Sequence, residues 1–180
     1  MSARKGGGSL GGLWRLLRDQ GGLIASLLSA EPATQAGAGP AQLAAAGPRA
    51  RRAPAEYELL VEAIYEGYLL HYGTSRVISS PEENLRLLAG DRLYALGLAR
   101  LVALGDGAAV AELADTITLS ALAHASGEPE LAGAVWLAGA RAVGWGASEA
   151  HTRAKRLVGG GAPEALDAMR TSAEGAAAPR

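Results

Sequence analysis

The chain has 180 residues and a formal charge of −1 from 17 basic and 18 acidic side chains, so no net field recruits nucleic acid. Ala (40), Leu (27) and Gly (25) dominate over 7 Val, 4 Ile and no Phe, a balance that argues for an all-α helical bundle and against an all-β or parallel α/β core. The absence of cysteine removes disulfides, thiolate zinc sites and cysteine nucleophiles, and fits a reducing, cytoplasmic setting.

Charge is divided along the chain. Residues 1–55 carry 7 basic and 2 acidic side chains and residues 56–180 carry 10 and 16, giving a basic arm and an acidic body. In the arm, residues 1–30, Leu10, Leu13, Trp14 and Leu17 share one helical face, and Leu23, Ile24, Leu27 and Leu28 continue it after Gly21-Gly22. Two short amphipathic helices are expected there, packed on the body or on a partner. Trp14 beside Arg15 and Arg18 would also suit peripheral contact with an anionic membrane surface. Glycines and arginines interrupt any signal-like apolar run, and Pro32 to Pro48, 17 uncharged residues rich in Ala, Gly and Pro, is too poor in bulky side chains to span a bilayer. Residues 31–53 read as a linker, because they offer little apolar surface to offset chain entropy.

The body is expected over 54–171, followed by a frayed tail at 172–180. Pro54 opens a helix in which Tyr57, Leu60, Val61, Ile64, Tyr65, Tyr68 and Leu69 keep an i, i+3, i+4, i+7 rhythm. Glu58, Glu62 and Glu66 lie one turn apart on another face. Like charges so placed repel unless a cation intervenes, and the row reads as a solvated face rather than a metal site. Ser80-Pro81-Glu82-Glu83 has the form of a capping box, and the helix after it carries Leu85, Leu88, Leu93, Leu96, Leu101 and Leu104 up to Gly105. Apolar residues nearly encircle this helix. It is therefore expected in the middle of the bundle or in a subunit interface, with Leu98 or Leu101 facing a partner. Further helices are expected at about 107–126, from Pro129 through Val143, at about 148–158, and after Pro163.

Nothing in the spacing marks a catalyst. His71, His124 and His151 are far apart and read as structural or surface residues, and neither triple-glycine run is followed by the Lys-Ser or Lys-Thr of a phosphate loop. Asp91, after Gly90 inside a helix, is expected to meet a basic or polar group on a neighbouring helix.

One segment resembles the trans-isoprenyl (polyprenyl) diphosphate synthases. A helix ending Leu69-Leu70-His71 is followed by one opening Leu87-Leu88-Ala89-Gly90-Asp91-Arg92-Leu93-Tyr94-Ala95, then by Ala111-Glu112-Leu113-Ala114 running to Ala125-Ser126-Gly127-Glu128. The similarity covers about residues 58–147 and implies a shortened isoprenoid synthase fold. Members of that family hold Mg²⁺ on clustered aspartates to ionise an allylic diphosphate. In this chain the first aspartate motif falls on Tyr72, Gly73 and Arg76, and no two of its five aspartates are adjacent. The chain therefore resembles the non-catalytic small subunit, component I, of heptaprenyl and related long-chain synthases. That resemblance implies a catalytic polyprenyl synthase subunit as partner, with self-association as the other possibility, and Mg²⁺ on the partner. This chain itself is expected to supply no catalytic residue, metal ligand or cofactor site. It further implies a degenerate pocket at Tyr65, Tyr68, Tyr72, Arg76, Gly90, Asp91 and Tyr94, with Tyr65 and Tyr68 on the wall that meets the growing prenyl chain in active relatives. Two other classes stay open: a helical interaction module unrelated to prenyl transfer, and an enzyme using Asp91 with scattered carboxylates.

Overall fold

A computed structural model describes residues 8–32, 39–79 and 82–175. Those residues form nine helices: α1 Ser9–Gln20, α2 Gly22–Ser26, α3 Pro40–Ala46, α4 Pro54–Tyr72, α5 Glu83–Ala103, α6 Gly107–Ala125, α7 Pro129–Trp145, α8 Glu149–Gly159 and α9 Ala165–Glu174. The fold is an all-α bundle. Among the described residues the only extended pairing is an isolated bridge, Leu28 to Ile78, which ties the segment after α2 to the α4–α5 connection.

Helix boundaries follow local chemistry. Pro54 and Pro129 open α4 and α7, where a missing N–H costs nothing. Asp106 caps α6 by accepting from the Ala109 N–H, and Ser148 caps α8 by accepting from the His151 N–H. Positive-φ glycines at 105 and 127 end the turns that follow α5 and α6. The expected capping serine, Ser80, and Pro81 lie outside the described residues, and α5 is described from Glu83. Helix α9 runs to Glu174, so the first residues of the expected frayed tail are helical.

One expectation about organisation is corrected. Residues 39–53 are not a linker: α3 lies against α4 and α7, and Ala41, Ala44 and Ala50 are buried in the main core with Leu60, Ile64, Trp136 and Val143. Alanine loses no rotamer freedom on burial, and its small size lets backbones touch. The Arg49 N–H donates to the Gly144 carbonyl at 3.0 Å, and a Cβ on Gly144 would sit 2.5 Å from the Ala44 carbonyl oxygen. Helix α1 packs on the body, the first of the two placements expected for it. Its apolar face, Leu10, Leu13 and Leu17, is buried with Ala63, Leu70 and Leu93, so the side a membrane would take is turned toward α4 and α5. Trp14 Nε1 donates to the Ser29 carbonyl at 2.9 Å.

The enclosed helices are α4 and α7, not α5. Helix α5 packs along α4 and meets α6, and its buried residues Ala89, Gly90, Leu93, Leu96, Gly97 and Leu101 form one stripe. Close approach to α4 uses missing side chains: a Cβ on Gly97 would lie 2.3 Å from Ile64 Cγ1. A second core, built from Leu131, Val135, Ala154, Val158 and Met169, joins α6 through α9.

Gly144→Leu should force α3 off α7 and destabilise the protein by about 1–3 kcal/mol, the usual cost of overpacking. Urea unfolding of the full chain measures this, and an unchanged midpoint would mean that α3 does not hold the α7 backbone closely.

Candidate functional site

The polar centre of the molecule is built on α4. Glu58, Glu62 and Glu66 are not a solvated face: Glu62 is 3% and Glu66 0% exposed. Repulsion along the row is relieved from three directions. Arg76, in the α4–α5 connection, places its guanidinium on both Glu62 and Glu66. Ser75 Oγ donates to Glu66 at 2.6 Å and the Arg76 N–H donates to the same oxygen at 3.0 Å. Ser9 Oγ, at the start of α1, donates to Glu62 at 2.6 Å. Gln42 of α3 donates to Ser9 Oγ and to Glu58, and accepts from the Gly39 N–H. Burial alone would lower the Arg76 pKa, but Glu66 and Glu62 more than offset it and hold the group above its ordinary value.

Beside this network lies an aromatic cluster. Tyr65, Tyr68 and Tyr72 follow one another along α4, with ring centroids 5.6 Å apart in each successive pair. Trp136 of α7 stands 5.1 Å from both Tyr65 and Tyr68. Its buried indole N–H has no hydrogen-bond partner among the described residues. His124 of α6 stacks on Tyr72 at 4.5 Å, and its Nε2 lies 2.9 Å from the Tyr68 hydroxyl. Tyr94 of α5 stacks on His71 at 5.4 Å. Burial pushes the Tyr68 hydroxyl up to about 12 and raises Tyr65 and Tyr94 as well, so these phenols stay neutral at ordinary pH and supply no phenolate base or nucleophile.

The structure thus brings together the residues that the resemblance placed in a degenerate pocket. Tyr65, Tyr68, Tyr72 and Tyr94 belong to the aromatic cluster, Arg76 Cζ lies 5.4 Å from the Tyr65 ring, and Gly90 packs against Gly67 and the His71 ring. Asp91 is exposed, with Oδ1 3.1 Å from His71 Nε2, without hydrogen-bond alignment. Of the three positions matching the aspartate motif, Tyr72 stacks on His124, Gly73 ends α4, and Arg76 occupies the space between two carboxylates that a cation would need. Among the described residues no three His, Asp or Glu side chains are grouped to hold a metal ion. The interface expectation is corrected for Leu101, which is 0% exposed in the main core, while Leu98 is half-buried.

A second polar cluster has no counterpart in the sequence pattern. Buried Glu112 of α6 meets His151 Nε2 at 2.7 Å and Lys155 Nζ at 2.8 Å, Lys155 also reaches Asp115 at 2.7 Å, and His151 Nδ1 lies 2.8 Å from Ser172 Oγ. Burial would raise the Glu112 pKa, but hydrogen bonds from His151 and Lys155 hold it below its ordinary value. Asp106 is lowered likewise, burial being outweighed by hydrogen bonds from Tyr57, the Ala109 N–H and Arg49. The Ser148 cap placed His151 in the first turn of α8, but its partner Glu112 is 39 residues away and no local pattern pairs them.

No family model, no curated protein and no solved structure matches this chain.

Arg76→Met should cost about 3–5 kcal/mol by leaving two buried carboxylates without their cation, and Glu62→Gln with Glu66→Gln should recover part of that loss. Urea titration of the single and triple variants tests it; a loss under about 1 kcal/mol would show that water replaces the guanidinium. Carboxyls with depressed native pKa values contribute fully above their ordinary values, 4.5 for Glu112 and 3.8 for Asp106, and lose that contribution as pH falls through the native values. Stability followed by urea midpoint should therefore drop on acidification, and Glu112→Gln should flatten that acid limb.

Proposed function

We propose that this chain is a non-catalytic helical subunit that docks on a catalytic chain of the trans-polyprenyl diphosphate synthase class, with α5 as the docking helix. The observation that carries it is the face of α5 turned away from α4. Asn84, Leu88, Asp91, Ala95, Leu98 and Val102 follow one another at spacings of four and three, the seam of helices that pair in parallel or antiparallel layers, and of these only Leu98 also leans on the main core. Leu88 is 55% and Val102 63% exposed, and Asp91 is the one charge in the stripe. Leu88, Ala95 and Val102 are left exposed on this face, and a helix laid across it would bury them.

The choice of partner rests on the order of motifs shared with the synthases, from Leu69-Leu70-His71 through Gly90-Asp91 to Glu128. The non-catalytic role is supported by the positions that would carry Mg²⁺. Arg76 brings a fixed positive charge where a divalent cation would have to bind, and the carboxylates near it are already paired. Tyr72 offers a ring rather than an oxygen anion.

Coexpression with the polyprenyl synthase of the same genome, followed by size-exclusion chromatography and prenyl-transfer assay, tests the proposal. The isolated chain should not condense isopentenyl diphosphate with an allylic diphosphate, and the mixture should elute as a complex. Val102→Glu should abolish that complex while leaving helical circular dichroism intact, since an uncompensated charge buried on docking costs about 3–5 kcal/mol, more than a hundredfold in affinity. Leu101→Glu should instead unfold the protein. Association unaffected by Val102→Glu would remove α5 as the docking helix, and turnover by the pure chain would remove the non-catalytic role.

A further inference from the structure

A cleft of about 420 Å³ opens between the C-terminal half of α7, the start of α8 and the end of α9. It is remote from the α5 face and independent of the docking proposal. Arg141 lies on one side, with Cζ 4.8 Å from the centroid of the Trp145 ring. A Cβ on Gly175 would come within 2.1 Å of Arg141 Nη2, so the guanidinium is held between an indole face and bare backbone. Gly175 has φ +75°, a conformation that a side chain would strain, which keeps this gap open. Arg141 is a half-buried cation in a concave site with no carboxylate at ion-pair distance among the described residues.

The opposing wall supplies hydroxyls: Ser148, Thr171 and Ser172. Ser172 is fixed by His151 Nδ1 at 2.8 Å, and His151 in turn by Glu112 at 2.7 Å, so this wall is rigid. Glu112 is turned to His151 and Lys155 rather than to Arg141. The remaining lining is small and apolar, and the ring of Trp145 is accessible at the rim. A guanidinium, a hydroxyl in the lining and a flat aromatic surface are what an oxyanion with an apolar body requires, and the volume suits a ligand of about a dozen heavy atoms.

We propose that this cleft binds a small organic anion, a carboxylate or phosphate ester, with its oxygens on Arg141 and Thr171 and its apolar body against Trp145. Uniformly ¹⁵N-labelled full-length chain titrated with phenyl phosphate, benzoate, inorganic phosphate, acetate and phenol tests it. At least one of phenyl phosphate and benzoate should shift the Trp145 indole resonance saturably, inorganic phosphate and acetate should bind more weakly, and phenol should not bind there. The comparison of the two aromatic anions identifies the head group. Arg141→Gln should weaken binding about tenfold or more, as expected for a lost charged hydrogen bond, while Arg153→Gln on the exposed side of α8 should not. If Arg141→Gln disturbs the fold, Arg141→Lys and Thr171→Val serve instead, each weakening binding several-fold. Absence of a saturable shift, equal binding of phenol, or undiminished affinity when Arg141 is replaced in a folded protein would overturn the proposal.

Discussion

Three carboxylates one turn apart on α4 organise what surrounds them. Glu58 takes Gln42 of α3, Glu62 takes Ser9 of α1, and Glu66 takes Ser75 and Arg76 of the α4–α5 connection. Every element that closes over this side of α4 is registered by a hydrogen bond or ion pair to that row. A buried ion pair adds little net stability against an apolar replacement, because desolvation offsets attraction, yet an unmatched carboxylate there is costly. We read the row as a device for register: the apolar faces of α1 and α3 could slide along α4, and the carboxylates accept one arrangement of donors.

Small residues do the rest. With 40 Ala and 25 Gly the chain has little bulk for a thick core, and stability comes from backbones brought close together. Gly67, Gly90 and Gly97 let α5 lie tightly along α4, and Gly47 and Gly144 let the end of α3 touch α7. That intimacy has a consequence for α5. A helix held by one narrow stripe leaves Leu88 and Val102 exposed on the other side, so an encircling apolar pattern coexists with an edge position.

The same economy shapes the chemistry. Beside the acid row, Tyr65, Tyr68, Tyr72, Trp136 and His124 form a continuous aromatic mass whose phenols are kept neutral by burial. Arg76 spans both regions, its charge spent on Glu62 and Glu66 and its face near Tyr65. Such a centre can support surfaces, and it is on the surfaces, the α5 stripe and the Arg141 cleft, that unmatched apolar area and charge remain.

The helical class, most helix boundaries and the rhythm of α4 were legible in the sequence, because propensity, prolines, caps and terminating glycines act within a few residues. The succession of Tyr65, Tyr68 and Tyr72 along one helix was legible as well, spacing within a helix being local information. What the tertiary structure alone decided were the matters of partnership. Glu62 and Glu66 look like solvated residues until Arg76 is folded back onto them, a pairing set by the path of the chain after Tyr72. Residues 39–53 look like a linker until α4 and α7 offer their small side chains a surface at contact distance. Helix α5 looks central until the neighbours that would surround it are seen to enclose α7 instead. Burial and charge compensation are properties of pairs distant in sequence, and periodicity along one segment holds no record of which segment will cover it.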